Sequence, residues 1–457
     1  MSDGAGKTAW VVEQLRAEIR RGSLAGRLPG MRALAAAHSV STFVIFQAVA
    51  ILEAEGLVVR LPKRGVEVPA AVTARVRRLR LIIAEHLPWQ QRFWEEVRAG
   101  FSATHPEIVT TCVFVPGRAA VAEALADGAG GVVHSISPDT LPAAALAPLA
   151  DVLGEALAPL RAGLVAAAGP GNATSLPYQL QPAALVYKHH HQAPPPADWD
   201  WATCISTLAA LHGSRRLVPP PVQILADAFD LGDAFATALA GRPQLLAERA
   251  VSLVGVMADL VAAEVLADPI ETPMELALGF DLGKIAALMR SSFLWPALGL
   301  RPEGLLAVHP LPGQVNPCPL SVAVAAGVPD RAAAAAWIAH LMSDQVQRLI
   351  MVHGLGTAAQ RSALIATAGD RGLPRGMDAL AARMLVSRPR EAVPAGYPAL
   401  LHALVERCLL PLVTGRLTAA SARANALAVV AEAVATATAQ DANGQDLRLR
   451  QALMTER

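Results

Sequence analysis

Apolar residues recur at three- and four-residue spacing near the start of the chain. Val12, Leu15 and Ile19 form one stripe over residues 11–21, which predicts a helix ended by Gly22. Leu28-Pro29-Gly30 reads as a turn, and residues 31–37 as a second short helix with Leu34 and Ala35 inward and Arg32 outward. Ser41 is placed to N-cap a third helix over 42–55, with Val44, Ala48, Ile51 and Leu52 inside and Gly56 as its C-cap. Residues 57–61 and 66–68 then read as paired strands about a turn at Pro62-Lys63-Arg64-Gly65. Three helices and a hairpin with a tight helix-to-helix turn make a winged helix-turn-helix, an α+β unit.

Beyond it the pattern changes. Leu79, Leu81 and Ile83 alternate with arginines into a buried strand, and an amphipathic helix over 89–105 follows, with Phe93, Val97 and Phe101 four residues apart. A strand over 109–115, a helix over 119–126 and a strand over 131–134 continue the alternation, which argues for α/β architecture with parallel strands. Later segments are helix-dominated: 201–211, 222–240, 245–266, 332–342, 397–414 and 418–439. The domains expected are residues 1–70, a connector at 71–76, and a body over 77–457.

The chain has 457 residues, 53% of them hydrophobic and 17% charged, so a large core is available and global disorder is excluded. Its net charge of +1 hides a division. Residues 1–80 hold 13 Lys/Arg against 6 Asp/Glu, and the remainder is net acidic. A basic head on an acidic body suggests a nucleic-acid-binding module joined to something else. Cys112, Cys204, Cys318 and Cys408 lie far apart with no metal-type spacing, which fits scattered thiols in a reducing compartment. The first residues lack the apolar core of a secretory signal, and the longest uncharged stretch, 162–187, is broken by Gly and Pro. A cytoplasmic protein without a membrane partner is expected.

Ile19, Gly22, Leu24, Leu28-Pro29, Arg32, Leu34-Ala35, Val40-Ser41, Val44, Ala48, Leu52, Glu55-Gly56-Leu57, Gly65 and Val68 form a long ordered pattern. In this the segment resembles the DNA-binding domain of GntR-type transcriptional regulators. The family has Ser, Arg and Thr where Gly30, Thr42 and Phe43 stand here. The resemblance implies a double-stranded DNA operator, a homodimer, and contacts from Arg32, Ser41, Thr42, Phe43, Gln47, Lys63, Arg64 and Gly65. A helix N-terminus at Ser41–Phe43 would offer backbone N–H groups to a phosphate, the third helix would lie in the major groove, and the wing tip would reach the backbone.

A second resemblance covers most of the rest. Phe93-Trp94 through His105-Pro106, Leu176-Pro177-Tyr178 through Tyr187-Lys188, Pro194 through Trp201, Gly283-Lys284 with Trp295, and Trp337 through Gln347 follow one another as in family-1 extracellular solute-binding proteins. That implies a two-lobed α/β body like that of periplasmic binding proteins, with a helix-rich second lobe and crossings near 176–188 and after about 300. It also implies a small-molecule effector, a carbohydrate, in the cleft between lobes. Sugar rings need aromatic plates and fixed polar groups. Trp89, Tyr178, Phe293 and Trp295 are the candidate plates, and His134-Ser135 a candidate contact loop, whereas Trp94, Trp199, Trp201 and Trp337 read as core. Ligand closing the cleft would change the spacing of two DNA heads in a dimer.

The runner-up body is aminotransferase-like. It requires a Schiff-base lysine, and the four lysines, Lys7, Lys63, Lys188 and Lys284, lie in no suitable setting. No enzyme signature, cofactor or metal site is read from the chain. Gly4-Ala5-Gly6-Lys7-Thr8 has no strand before it, and His189-His190-His191 reads as a solvated turn.

Overall fold

The computed structural model describes all residues except 1–2, 21–22, 25, 62–64, 70–76, 85–87, 117, 127–129, 136–140, 142, 190–194, 197–198, 211–215, 219–224, 227, 264–274, 277, 280–281, 283, 314–316, 388–393, 395 and 456–457. Gly22, Lys63, Arg64, the 71–76 connector, His190 and His191 therefore lie outside the described residues.

The head has its own core. Helices α1 (Asp3–Arg20), α2 (Met31–Ala37) and α3 (Thr42–Ala54) pack Val11, Leu15, Ile19, Leu34, Ile45 and Leu52 together. Strand β1 (Gly26–Arg27) pairs with β3 (Gly65–Val68), which pairs with β2 (Val59–Leu61), all antiparallel. α2 and α3 meet at 106°, within the range of a helix-turn-helix. Arg16 ties α1 to the end of α3 through Glu55. Ile51 corrects the inward set expected for α3: it is 41% exposed, and Val49 takes the buried place.

The chain divides into two compact units. One comprises Met1–Pro159, Asn172–Leu176 and Ser321–Ser343; the other comprises Leu160–Gly171, Pro177–Leu320 and Asp344–Arg457.

In the first unit, strand Arg77–Ala84 lies between Ile108–Val115 and Val132–Ser135, parallel to both, as the alternating pattern predicts. Residues Ser321–Val324 run antiparallel along the other edge of Val132–Ser135. Helix Gln91–Thr104 turns Phe93, Trp94, Val97 and Phe101 into the core, with Phe101 and Trp337 in edge contact at 5.1 Å. Asp330 caps helix Arg331–Leu341 by accepting from Ala333 N–H at 2.9 Å. The same carboxylate takes both arms of Arg77, at 2.5 and 2.6 Å.

In the second unit, Leu306–Pro310 and Ile285–Ser291 flank Ala183–Lys188, both antiparallel to it, and Arg216–Val218 pairs parallel with Ile285–Ser291. Against this sheet and around Phe235, Leu253, Leu404 and Val430 pack the long helices Gln244–Ala262 and Ala419–Thr455. The helix that begins at Tyr397 widens into a π turn at Val405–Leu409. Pro411 explains it: proline has no N–H for the Arg407 carbonyl, and Asn425 Nδ2 donates to that carbonyl instead, at 3.0 Å. Buried Gln347 braces strand Ser175–Gln181. Its Nε2 donates to Tyr178 O at 2.8 Å while its Oε1 accepts from Ala359 N–H at 2.9 Å. Among the described residues no single helix is long and apolar enough to cross a membrane.

The Arg77 hydrogen bonds hold the Asp330 carboxyl below the usual carboxylate range. A depressed carboxylate stabilises the fold above its unfolded pKa, near about 3.9, and that stability is lost as pH falls through the lower folded value. Asp330→Asn should therefore lower Tm at neutral pH, with a deficit that shrinks below about pH 4. A deficit independent of pH would show that the charge contributes nothing.

Candidate nucleic-acid interface and solute cavity

The N-terminus of α3 is exposed. Ser41 caps it, its hydroxyl accepting from Val44 N–H at 3.4 Å, and Ser41, Thr42 and Phe43 are all exposed. The remaining N–H groups of the first turn and the positive end of the helix dipole face outward there. Arg32 on α2 and Arg27 on β1 are exposed. Gly65 opens β3 with φ of +91°, a left-handed conformation that glycine adopts without strain. Gln47 is exposed, and its Oε1 accepts from the Thr8 hydroxyl of α1 at 3.0 Å. Arg60 on β2 lies 4.4 Å over the Phe46 ring and pairs with Glu53 at 3.0 Å. The head thus brings Arg32, Ser41, Thr42, Phe43 and Gln47 into one domain with an exposed α3.

Three of the residues expected to contact a sugar, His134, Tyr178 and Trp295, are buried. His134 is a core residue: it is 1% exposed, its Nε2 accepts from the Trp337 indole at 3.0 Å, and Trp94 packs edge-on at 4.8 Å. Burial pushes its pKa down to about 3, so it is neutral near pH 7. Ser135 ends the same strand and pairs with Ser321. Tyr178 and Trp295 are also buried, at 1% and 0% exposure, so neither offers a free ring face. Trp295 Nε1 donates to Arg290 O at 3.1 Å, and burial raises the Tyr178 phenol. Phe293 lies in the short turn Ser292–Leu294. Trp89 is half-buried at Pro88–Gln90, before helix Gln91–Thr104, and its enclosed indole N–H meets no acceptor among the described residues. Of the tryptophans read as core, Trp94, Trp199 and Trp337 are buried, and the half-buried Trp201 stacks on Phe229.

A cavity of about 1000 Å³ opens instead within the second unit. Tyr187, His189 and His309 come from the strand side, and Arg375, Asp378 and Arg383 from the segment that leads into and forms helix Met377–Val386. The walls are locked at one point: Val308 N–H donates to Arg375 O at 2.9 Å, and a Cβ on Gly376 would meet Val308 O at 1.8 Å. His309 is stacked edge-on by Trp199 at 4.9 Å, its Nδ1 lies 2.9 Å from Pro310 O, and burial, with Arg383 nearby, lowers its pKa. Asp370 on the rim is already held by Arg348, at 2.7 and 3.1 Å. This leaves a lining of hydrogen-bonding groups, Asp378 as acceptor and Arg375 and Arg383 as donors, suited to a polar small molecule. Sequence reasoning missed these residues. The available signal is the run Arg371-Gly372-Leu373-Pro374-Arg375-Gly376-Met377-Asp378, charges on a glycine- and proline-punctuated turn before a helix.

Residues 7–68 match the family described as bacterial regulatory proteins, gntR family. No curated protein matches the chain. Among solved structures, the GacH receptor of Streptomyces glaucescens, determined unliganded and with acarbose, is 15% identical with a TM-score of 0.58, over 78% of this chain and 98% of that one. The sugar-binding protein MalE of Xanthomonas citri is 16% identical with a TM-score of 0.56, over 79% and 98%. A family 1 extracellular solute-binding protein of Alicyclobacillus acidocaldarius is 14% identical with a TM-score of 0.53, over 79% and 99%. The chain is thus a gntR-type winged helix followed by a two-lobed α/β body with the fold of extracellular solute-binding proteins. An aminotransferase-like body finds no support.

Ser41→Ala removes the α3 cap and should destabilise the head by about 1 kcal/mol. Hydrogen exchange of the α3 amides across a urea series checks this, and unchanged protection would show that the cap is idle.

Proposed function

We propose that this protein is a DNA-binding transcriptional regulator whose body senses a small solute, a sugar or sugar derivative. One observation carries the reading: a gntR-type head and a solute-binding fold occur on a single chain. The head supplies a helix N-terminus and exposed arginines for phosphate, and α3 for the major groove. The solute occupies the cavity lined by Tyr187, His309, Asp378 and Arg383. Hydroxyl groups would donate to Asp378 and accept from Arg375 and Arg383. Proteins of the same fold determined with sugars, such as GacH in complex with acarbose, favour a carbohydrate. The protein acts as a homodimer on two half-sites in the cytoplasm, where its operator is, and performs no catalysis.

Regulation then needs the solute to favour one arrangement of the body over another, by no more than its differential affinity for the two. The test is a thermal-shift screen of the full chain against monosaccharides, oligosaccharides, sugar acids and polyols. A cognate compound raises Tm by mass action, and Arg383→Ala removes that shift while leaving the unliganded Tm within a few degrees. If no compound of these classes shifts the wild-type protein, the carbohydrate assignment fails. A shift that survives Arg383→Ala moves the solute out of this cavity.

A further inference from the structure

Helix α3 is apolar on both of its faces. Val44, Ile45, Ala48, Val49 and Leu52 fill the head's core, so folding needs no more from this helix. Yet the opposite stripe is Phe43, Phe46, Gln47, Ala50 and Ile51, with Phe43 68% and Phe46 53% exposed. No Lys or Arg occurs anywhere in Thr42–Ala54. The cations stand off the helix, on Arg27, Arg32 and Arg60. Arg60 is committed: it covers the Phe46 ring and pairs with Glu53, a brace on the aromatic side chain. Gln47 is the one amide on the stripe, and its carbonyl end accepts from Thr8.

Such a stripe lacks the Arg or Lys that most often reads guanine O6 and N7. The major groove offers one carbon feature, the thymine C5-methyl group. We propose that Phe43, Phe46 and Ile51 of α3 recognise thymine methyl groups, so that sequence is read by apolar packing while Arg27, Arg32 and the α3 N-terminus grip phosphate. This deepens, and rests on, the regulator reading. The basic head favours a nucleic-acid occupant over a protein one, since residues 1–70 carry 9 Lys/Arg against 6 Asp/Glu. Length fits as well. At a rise of about 1.5 Å per residue, Phe43 to Ile51 spans roughly 12 Å, or three to four base steps of about 3.4 Å.

The full chain is used to select duplexes from a random library, and the selected duplex is resynthesised with deoxyuridine in place of individual thymidines. That change deletes the methyl group and leaves every hydrogen-bonding edge intact. Thymine should be enriched at two or more neighbouring steps of each half-site, and each replacement there should weaken binding about fourfold, the equivalent of one buried methyl-sized group. Phe43→Ala should abolish the difference between thymine and uracil at one position, leave Tm unchanged and leave the slope of log K against log salt unchanged. Arg32→Ala should lower that slope by about 1 and keep the methyl effect. Selected sites that bind uracil and thymine alike overturn the methyl proposal while the regulator reading stands. If no duplex is bound above background at low salt, the regulator reading fails too, and the apolar stripe belongs to a protein partner or a second copy.

Discussion

The ion pair of Arg77 with Asp330 joins two places separated by 253 residues. It marks the constraint on which the first unit depends: its sheet and helical layer are completed by a segment, Ser321–Ser343, that returns only after the long stretch Pro177–Leu320 of the second unit. Strand residues Ser321–Val324 pair with Val132–Ser135, and helix Arg331–Leu341 brings Trp337 over Phe101 and His134. The pair itself is partly exposed, so its direct contribution is modest. Its role is geometric. One carboxylate caps a helix and fixes the first residue of the strand that carries the sheet, so cap, strand and core are aligned together.

Much of this was legible in the sequence because local signals agreed with tertiary needs. Ser41 caps α3 as its position predicts, and the alternation of strand and helix from Leu79 to His134 does form parallel pairs. Trp94, Trp199 and Trp337, read as core from the resemblance, are buried. Other features were hidden for physical reasons. Ile51 sits one position from the buried Leu52 on a helix that is apolar all round, so periodicity cannot say which of its faces turns inward. The π turn before Pro411 leaves the Arg407 carbonyl without its helical donor, and Asn425, from a different helix, donates to it.

The candidate sites divide along the same line. The residues expected for the head lie within one short stretch, Arg32 to Gly65, so sequence order alone could propose them. Those of the cavity come from Tyr187, His309 and Arg383, segments far apart in the chain, and only the fold brings them to one space. His134, Tyr178 and Trp295 illustrate the converse: polar or aromatic residues at strand ends satisfy the reading for a ligand contact and for a buried brace equally well. Hydrogen bonds decide between the two. The His134 ring nitrogen and the Trp295 indole are both engaged by the protein itself.

The discontinuous build of the first unit has a consequence during synthesis. The winged helix draws its core from Val11 to Val68 alone, an uninterrupted stretch that can fold as soon as it clears the ribosome. Translation takes on the order of ten to forty seconds to pass from Pro159, where the first unit breaks off, to Ser343, where it closes. Throughout that interval a nascent chain carries a finished head on an unfinished body. Any premature stop in the interval would release a fragment that still has the head but carries only part of the body.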